Sequence, residues 1–329
     1  MMVPYLWECV KQLKDGKGVA NFEKVEGLFD SIVVLSTLRT DLCGLMSGAL
    51  RTERRGLIIR PMAQNEWQRR IARTEQLGAE YGFAAKILRF YASVARFQEK
   101  FYGELENATL GSGVVVADPF AQALPPGLTR HLGEFLLVVE QNGPDPLREA
   151  ARALRDGGES AQFQRLTAFW DANDLGGLPS GPDDFFARAC LQPYSAWVRE
   201  RAQLRWSGPT PFLCPFCKRK PVVGVLRPLG DGGQRSLVCS FCLAEWEFRR
   251  LVCTGCGEED HAKLPVYTAD ELKHVRVEAC DSCRTYIKTV DMTKTGLAEP
   301  VVDEMASIPL DVWAHQQGYV KLQPNLLQF

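Results

Sequence analysis

Four Cys-x-x-Cys pairs in the last third constrain this chain more than any other feature: Cys214/Cys217, Cys239/Cys242, Cys253/Cys256 and Cys280/Cys283. Eight of the 11 cysteines thus fall between residues 214 and 283. A Cys-x-x-Cys turn aims two thiolates at one point, and two such turns complete a tetrahedral four-sulfur shell around zinc or iron. The intervals 218–238 (21 residues) and 257–279 (23 residues) nearly match, while 243–252 holds only 10. This spacing predicts two consecutive metal ribbons built from adjacent pairs. Cys214, Cys217, Cys239 and Cys242 would hold one ion; Cys253, Cys256, Cys280 and Cys283 would hold the other. The rival arrangement is a cross-brace joining Cys214/Cys217 to Cys253/Cys256.

Other uses of these cysteines fit less well. A disulfide framework needs an oxidising compartment, and Met1 to Val10 lacks the charged and long apolar regions of a secretory signal. A thioredoxin-type site uses one Cys-x-x-Cys at a helix start, not four in a row. Four thiolates close the shell and leave no position for substrate, so the sites read as structural zinc or one-electron iron, not hydrolytic centres. β modules this small bury too little apolar surface to fold alone, so each should unfold without its ion. His261 and His274 lie inside the second module, but four cysteines already complete its shell. Cys9, Cys43 and Cys190 stand alone and read as small buried hydrophobes.

The rest of the chain is ordinary for a soluble globular protein: 329 residues, 46% hydrophobic and 24% charged. A net charge of -1 gives no general pull toward nucleic acid. Ile32 to Leu35, the longest strongly apolar run, is far too short for a bilayer. These features predict a cytoplasmic protein without membrane insertion; they leave its oligomeric state open. No phosphate loop or Ser/His/Asp set stands out, and Gly111-Ser-Gly113 is too short for a nucleotide site. Lys218-Arg219-Lys220 reads as a solvated knuckle surface, which argues against nucleic acid as a partner.

Organisation along the chain predicts an α+β protein. Residues 1–60 form a poorly defined extension, in which Trp7, Phe22, Leu28, Phe29 and Val33 suit a short amphipathic helix and Arg51 to Arg55 a solvated stretch. Residues 61–206 form an all-α helical domain. There Phe83, Ile87, Phe90, Tyr91, Val94, Phe97 and Phe101 recur at helical spacing and read as a core-facing stripe. Further helices are expected from Leu128 to Glu140, after an Asp145 cap to Leu154, from Phe163 to Trp170, and from Asp183 to Leu204 with a kink at Pro193. Ser207-Gly-Pro-Thr-Pro211 is a linker. Past it, Val222–Leu226, Ser236–Val238, Leu264–Tyr267 and Val275–Glu278 read as strands, with a hairpin tip at Gly230 to Gly233. Residues 212–250 then form the first four-cysteine metal ribbon and 251–329 the second with a tail, both rubredoxin-like or zinc-ribbon modules. The two look like a diverged duplication: each has a Pro-Val after its first knuckle (Pro221-Val222, Pro265-Val266) and an aromatic after its second (Trp246, Tyr286).

The pattern resembles the formate dehydrogenase accessory (formation) proteins, the FdhE family. The resemblance rests on Cys214-Pro215-x-Cys217 with Pro221-Val222, then Leu237-x-Cys239-x-x-Cys242, Trp246, Arg250 and Cys253-x-x-Cys256-Gly257. Glu278-x-Cys280-x-x-Cys283-x-x-Tyr286-x-Lys288 follows, then the tail residues Asp303 to Ser307, Leu310-Asp311, Gly318-Tyr319 and Asn325. Upstream, Ile87 to Tyr91 and Ala187 to Tyr194 fit the family's helical region. The match covers about residues 60–329; Lys218 departs from the glycine usual after the first knuckle. The resemblance implies a cytoplasmic, non-enzymatic maturation factor that binds the formate dehydrogenase catalytic subunit, with two ions, iron or zinc, each held tetrahedrally by four cysteines. Residues 1 to about 45 lie outside the resemblance. They are expected to be dispensable, with a native start at Met46 or nearby.

Overall fold

The computed structural model describes residues 33–34, 65–108, 119–172, 182–202, 210–230 and 232–328. Cys9, Cys43, the Arg51–Arg55 stretch and the Gly111–Gly113 motif lie outside them, as does the expected N-terminal helix except for Val33. Val33–Val34 is a short strand, β1, paired antiparallel with Thr268 and Tyr267. The sheet therefore reaches into the segment expected to be dispensable.

The helical domain contains α1 (Asn65–Glu80), α2 (Ala85–Ala108), α3 (Leu128–Asn142), α4 (Asp145–Asp156), α5 (Gly158–Asp171) and α6 (Pro182–Glu200). A turn at Tyr81–Ala84 divides the long apolar pattern into α1 and α2. Phe90, Tyr91, Val94, Phe97 and Phe101 all face the core, as their spacing requires. Helix α4 starts one residue early: Pro144 takes the cap position, and Asp145 lies in the first turn, paired with Arg148.

Helix α6 is the central pillar, and Pro193 does not split it. Proline lacks the N–H that would bond the carbonyl four residues back. Here Gln98 of α2 supplies the missing donor, its Nε2 lying 2.9 Å from the Ala189 carbonyl.

Past the linker come β2 (Pro221–Leu229), β3 (Gly232–Cys239), β4 (Glu245–Glu247), β5 (Val266–Thr268), β6 (Val275–Ala279) and β7 (Thr285–Asp291). Then follow α7 (Pro300–Ala306), α8 (Ile308–Gln316) and β8 (Val320–Lys321). The protein is α+β, with helices first and the cysteine-bearing strands after. The two ribbons share one sheet, ordered β1-β5-β6-β7-β2-β3-β4, with β8 added to β7. The join is the parallel pairing of β2 with β7. Gly224 lies opposite Thr289 there, and a Cβ on Gly224 would fall 2.3 Å from the threonine Oγ1. Only glycine lets the strands approach so closely.

The internal duplication is visible in register, with one change. Val238 pairs with Glu245, and Ala279 pairs with Tyr286; each precedes the first cysteine of a second knuckle. Tyr286 therefore occupies the place of Glu245, and Ile287 that of Trp246. The one-residue offset sends the two aromatic rings to opposite sheet faces.

The domains are clamped together by more than apolar contact. Arg73 of α1 holds Asp303 of α7 with both oxygens, at 3.0 and 2.5 Å, and Arg70 pairs with Glu299 at 3.1 Å. Among the described residues, no helix is long and apolar enough to cross a membrane.

Candidate metal centres

The sulfurs gather as Cys214, Cys217, Cys239 and Cys242 in one cluster and Cys253, Cys256, Cys280 and Cys283 in the other, each within 4.8 Å. The arrangement is sequential, not a cross-brace. Measured Sγ···Sγ separations are 3.4 Å (Cys214–Cys242) and 3.3 Å (Cys217–Cys239) in the first, and 3.7 Å for Cys253–Cys283 and Cys256–Cys280 in the second. A metal–sulfur bond of about 2.3 Å puts tetrahedral sulfurs about 3.8 Å apart, so the second cluster matches and the first is slightly tighter.

All four knuckles repeat one backbone bond, from the first cysteine N–H to the carbonyl five residues on. Cys214 reaches Arg219 (2.9 Å), Cys239 Ala244 (2.8 Å), Cys253 Glu258 (2.9 Å) and Cys280 Thr285 (2.9 Å). The residue after each second cysteine is left-handed: Lys218 at φ 60°, Leu243 at 58°, Gly257 at 80° and Arg284 at 57°. That conformation costs a side-chain-bearing residue about 1–2 kcal/mol, and three of the four positions bear it. Backbone N–H groups also turn toward sulfur: Phe241 donates to Cys239 at 3.3 Å, and Gly255 and Cys256 donate to Cys253 at 3.3 and 3.4 Å.

Protonation shows how strained four neighbouring thiolates would be. Burial pushes the Cys214 and Cys242 thiols well up; at Cys239 burial is outweighed by hydrogen bonds from its sulfur neighbours and Phe241, which hold it well down. In the second cluster burial raises Cys253 to about 12, while at Cys283 partial burial is outweighed by bonds to Thr285 and its sulfur neighbours, which hold it at about 7. Without a cation, burial therefore favours the protonated thiol at Cys214, Cys242 and Cys253. A soft divalent or trivalent ion replaces those protons, and the all-sulfur donor set fits zinc or iron.

The clusters differ in exposure. Cys214, Cys239 and Cys242 are 0% exposed, whereas Cys256 is open to solvent. In the first only Cys217 is partly exposed, and α6 lays a polar stripe at helical spacing on the Cys239–Cys242 knuckle. Arg188 donates to the Ser240 carbonyl at 3.0 Å and to Asn325 at 2.8 Å. Gln192 donates to Ser240 at 3.4 Å, Ser195 to Phe241 at 3.4 Å, and Arg199 to Cys242 at 3.1 Å. Sequence reasoning missed this stripe, although its 4-3-4 spacing within an apolar helix was a usable signal.

The other singled-out residues have local duties. His274 bonds Asp303 at 2.7 Å and His261 is exposed, so neither joins a cluster. Lys218 donates to the Pro215 carbonyl; Arg284 bonds Asp281 and Gln317 and lies 4.0 Å over the Tyr319 ring. Arg219 is buried between the Phe169 and Phe241 rings and donates to the Phe169 carbonyl at 2.6 Å, so it leaves the expected solvated surface, while Lys218 is exposed and Lys220 partly so. Trp246 is 0% exposed, its indole N–H on the Pro211 carbonyl at 3.0 Å. Cys190 is a buried thiol, as its isolation suggested.

Comparison with known proteins connects this geometry to a family. Residues 213–250 match the model described as "FdhE, central domain", and residues 251–328 match "FdhE, C-terminal domain". The boundary falls in the connector between the clusters. The chain is 24% identical to "Protein FdhE homolog" of Aquifex aeolicus over 278 residues, covering 81% of this chain and 96% of that one. It is 29% identical to the Pseudomonas putida homolog (80% and 88% covered) and 28% to "Protein FdhE" of Escherichia coli (82% and 90%). "The crystal structure of the FdhE protein from Pseudomonas aeruginosa" superposes with a TM-score of 0.59 at 23% identity, over 82% of this chain and 98% of that one; it shares the fold.

Proposed function

The chain belongs to the FdhE family, and on that footing we propose that it is a cytoplasmic accessory factor for formate dehydrogenase that binds the catalytic subunit during maturation. The observation that carries this reading is the pair of closed four-sulfur clusters inside the two matched domains. A closed shell offers no open coordination position, which favours a binding protein over a hydrolytic enzyme.

The eight cysteines Cys214, Cys217, Cys239, Cys242, Cys253, Cys256, Cys280 and Cys283 are proposed as the ligands of two iron or zinc ions. When bound, the ion supplies folding energy and, if it is iron, a one-electron couple. The chain's own contribution is to hold the sulfurs: four identical knuckles orient them, and α6 caps the carbonyls of one knuckle. The first site couples the ribbon to the helical domain, so both should present one surface to the partner. A nucleic-acid role finds less support, since Arg219 of the basic run is buried under aromatic rings.

The test is capture of the formate dehydrogenase catalytic subunit by anaerobically purified, full-length protein, with metal content measured on the same sample. Capture with two ions per chain is expected. Absence of capture, together with normal formate dehydrogenase activity in cells lacking the protein, would refute the reading.

A further inference from the structure

The connector between the two ribbons carries an unusual combination of features. Leu251 is 61% exposed, yet its backbone is left-handed at φ 57°. A left-handed backbone at a side-chain-bearing residue costs stability, and such an outlier points to a functional use of the connector. Beside it lies a cavity of about 130 Å³, large enough for one side chain. Arg235, Arg250 and Arg276 line it, together with one carboxylate, Glu278, and Cys253 and Cys280 of the second cluster.

Glu278 is shared by two of these arginines, at 2.7 Å from Arg235 and 2.5 Å from Arg276. Arg250 is exposed and reaches only the Gly233 carbonyl, at 3.4 Å. The Nε of Arg235, on a side chain 3% exposed, has no hydrogen-bond partner at all. None of the three donates to a sulfur of the neighbouring cluster. The cavity therefore holds one arginine, Arg250, without a carboxylate partner and one buried unmet donor, the Arg235 Nε.

The larger cleft between the helical domain and the sheet, about 590 Å³, is lined by five arginines. Each arginine there has its own carboxylate, as Arg70 has Glu299 and Arg227 has Glu245.

We propose that the connector pocket is the docking point for an acidic segment of the partner protein, one carboxylate entering beside Arg235, Arg250 and Arg276 while an adjacent apolar side chain packs on Leu251. This deepens the accessory-factor reading and rests on it for the partner's identity. The recognition chemistry stands alone: bidentate guanidinium–carboxylate bonding over a neighbouring apolar contact.

The experiment uses the metal-loaded full chain and two probes. One is a labelled Asp-Leu-Asp-Leu peptide amide, with its Lys-Leu-Lys-Leu counterpart as control, read by fluorescence anisotropy. The other is capture of the catalytic subunit. The acidic peptide should bind and the basic one should not. Arg250→Glu should weaken both peptide binding and capture by about tenfold or more, and Leu251→Ser should weaken them several-fold, with two ions per chain retained. Peptide binding that ignores charge, or an Arg250→Glu variant that binds like the parent, would overturn the proposal. So would loss of metal from the second cluster in that variant, because the arginines would then be counter-ions of the sulfurs. Parent protein that binds the acidic peptide but fails to capture the subunit would sink the formate dehydrogenase reading and leave the pocket standing.

Discussion

Gln98 donates its side-chain N–H to the Ala189 carbonyl, the oxygen that Pro193 cannot satisfy four residues later. The contact lets the central helix carry a proline without breaking, and that helix holds both Arg188 and Arg199 against the first cluster. Gln98→Leu should cost about 1–3 kcal/mol in denaturant unfolding, the penalty of a buried unsatisfied carbonyl. Adding Pro193→Ala restores the backbone donor, so the cost of Gln98→Leu should shrink in that background. Equal costs in both backgrounds would show that Gln98 acts through packing instead.

A second buried group sits between β7 and the tail. Lys288 is fully buried and bonds Asp311 at 2.6 Å and the Glu304 carbonyl at 2.5 Å. Lys321 pairs with both Glu304 and Asp311; Tyr286 donates to Asp311 at 2.8 Å and Asn325 to Glu304 at 2.9 Å. Two lysines and two carboxylates cancel. Lys288→Met alone leaves two buried carboxylates facing one ammonium and should cost about 3–5 kcal/mol. Lys288→Met with Asp311→Leu removes one charge of each sign and should recover much of that loss. A double variant no better than the single one would mean that the network acts as an indivisible unit.

The network also explains where sequence reading stopped. The cysteine knuckles and helical stripes obey short, local rules, so pairing and core face were legible. Strand β7 was missed because buried Lys288 interrupts its apolar pattern, and its neutralising partners lie 16 or more positions downstream. The merger of the ribbons was equally hidden. It depends on a parallel contact between Gly224 and Thr289, and no local pattern announces a pairing across that distance. Trp246 was legible only as an aromatic after its knuckle, and its burial and bond to Pro211, upstream of the ribbon's first cysteine, could not be read from that pattern. The tail motif from Asp303 to Asp311 was visible only through family resemblance, and its role is to supply counter-charges.

Acid should loosen the join between the domains. Burial would raise the Asp303 carboxyl, but hydrogen bonds from His274 and Arg73 and the Glu299 N–H outweigh it and hold it below its usual range. A depressed folded-state value means that stability is fully present above the unfolded value of about 3.9 and drains away as pH falls below it. Asp303→Asn should be less stable at neutral pH, by about 3–5 kcal/mol, because Arg73 stays buried without a counter-ion. Its stability deficit relative to the parent should narrow as pH drops below about 4. Comparing denaturation midpoints of the two proteins across that window cancels acid-driven metal loss common to both. A deficit that stays constant with pH would contradict the assignment.

The two clusters should release their ions at different rates. Three sulfurs of the first are 0% exposed, and the carbonyls of its second knuckle are tied to α6. The fourth, Cys217, is partly exposed, but complete removal of the ion needs the contact between helix and ribbon to open, and local opening of a buried region is slow. The second cluster presents Cys256 at the surface, so a chelator can attack without unfolding. Chelator added to the two-ion protein should therefore withdraw metal in two phases, separated by about tenfold or more in rate. Cys256→Ser should remove the fast phase alone. Arg199→Ala cuts the bond to the Cys242 carbonyl and should speed the slow phase without touching the fast one. A single phase in the parent, or an Arg199→Ala variant that accelerates both, would mean that α6 does not guard the first site.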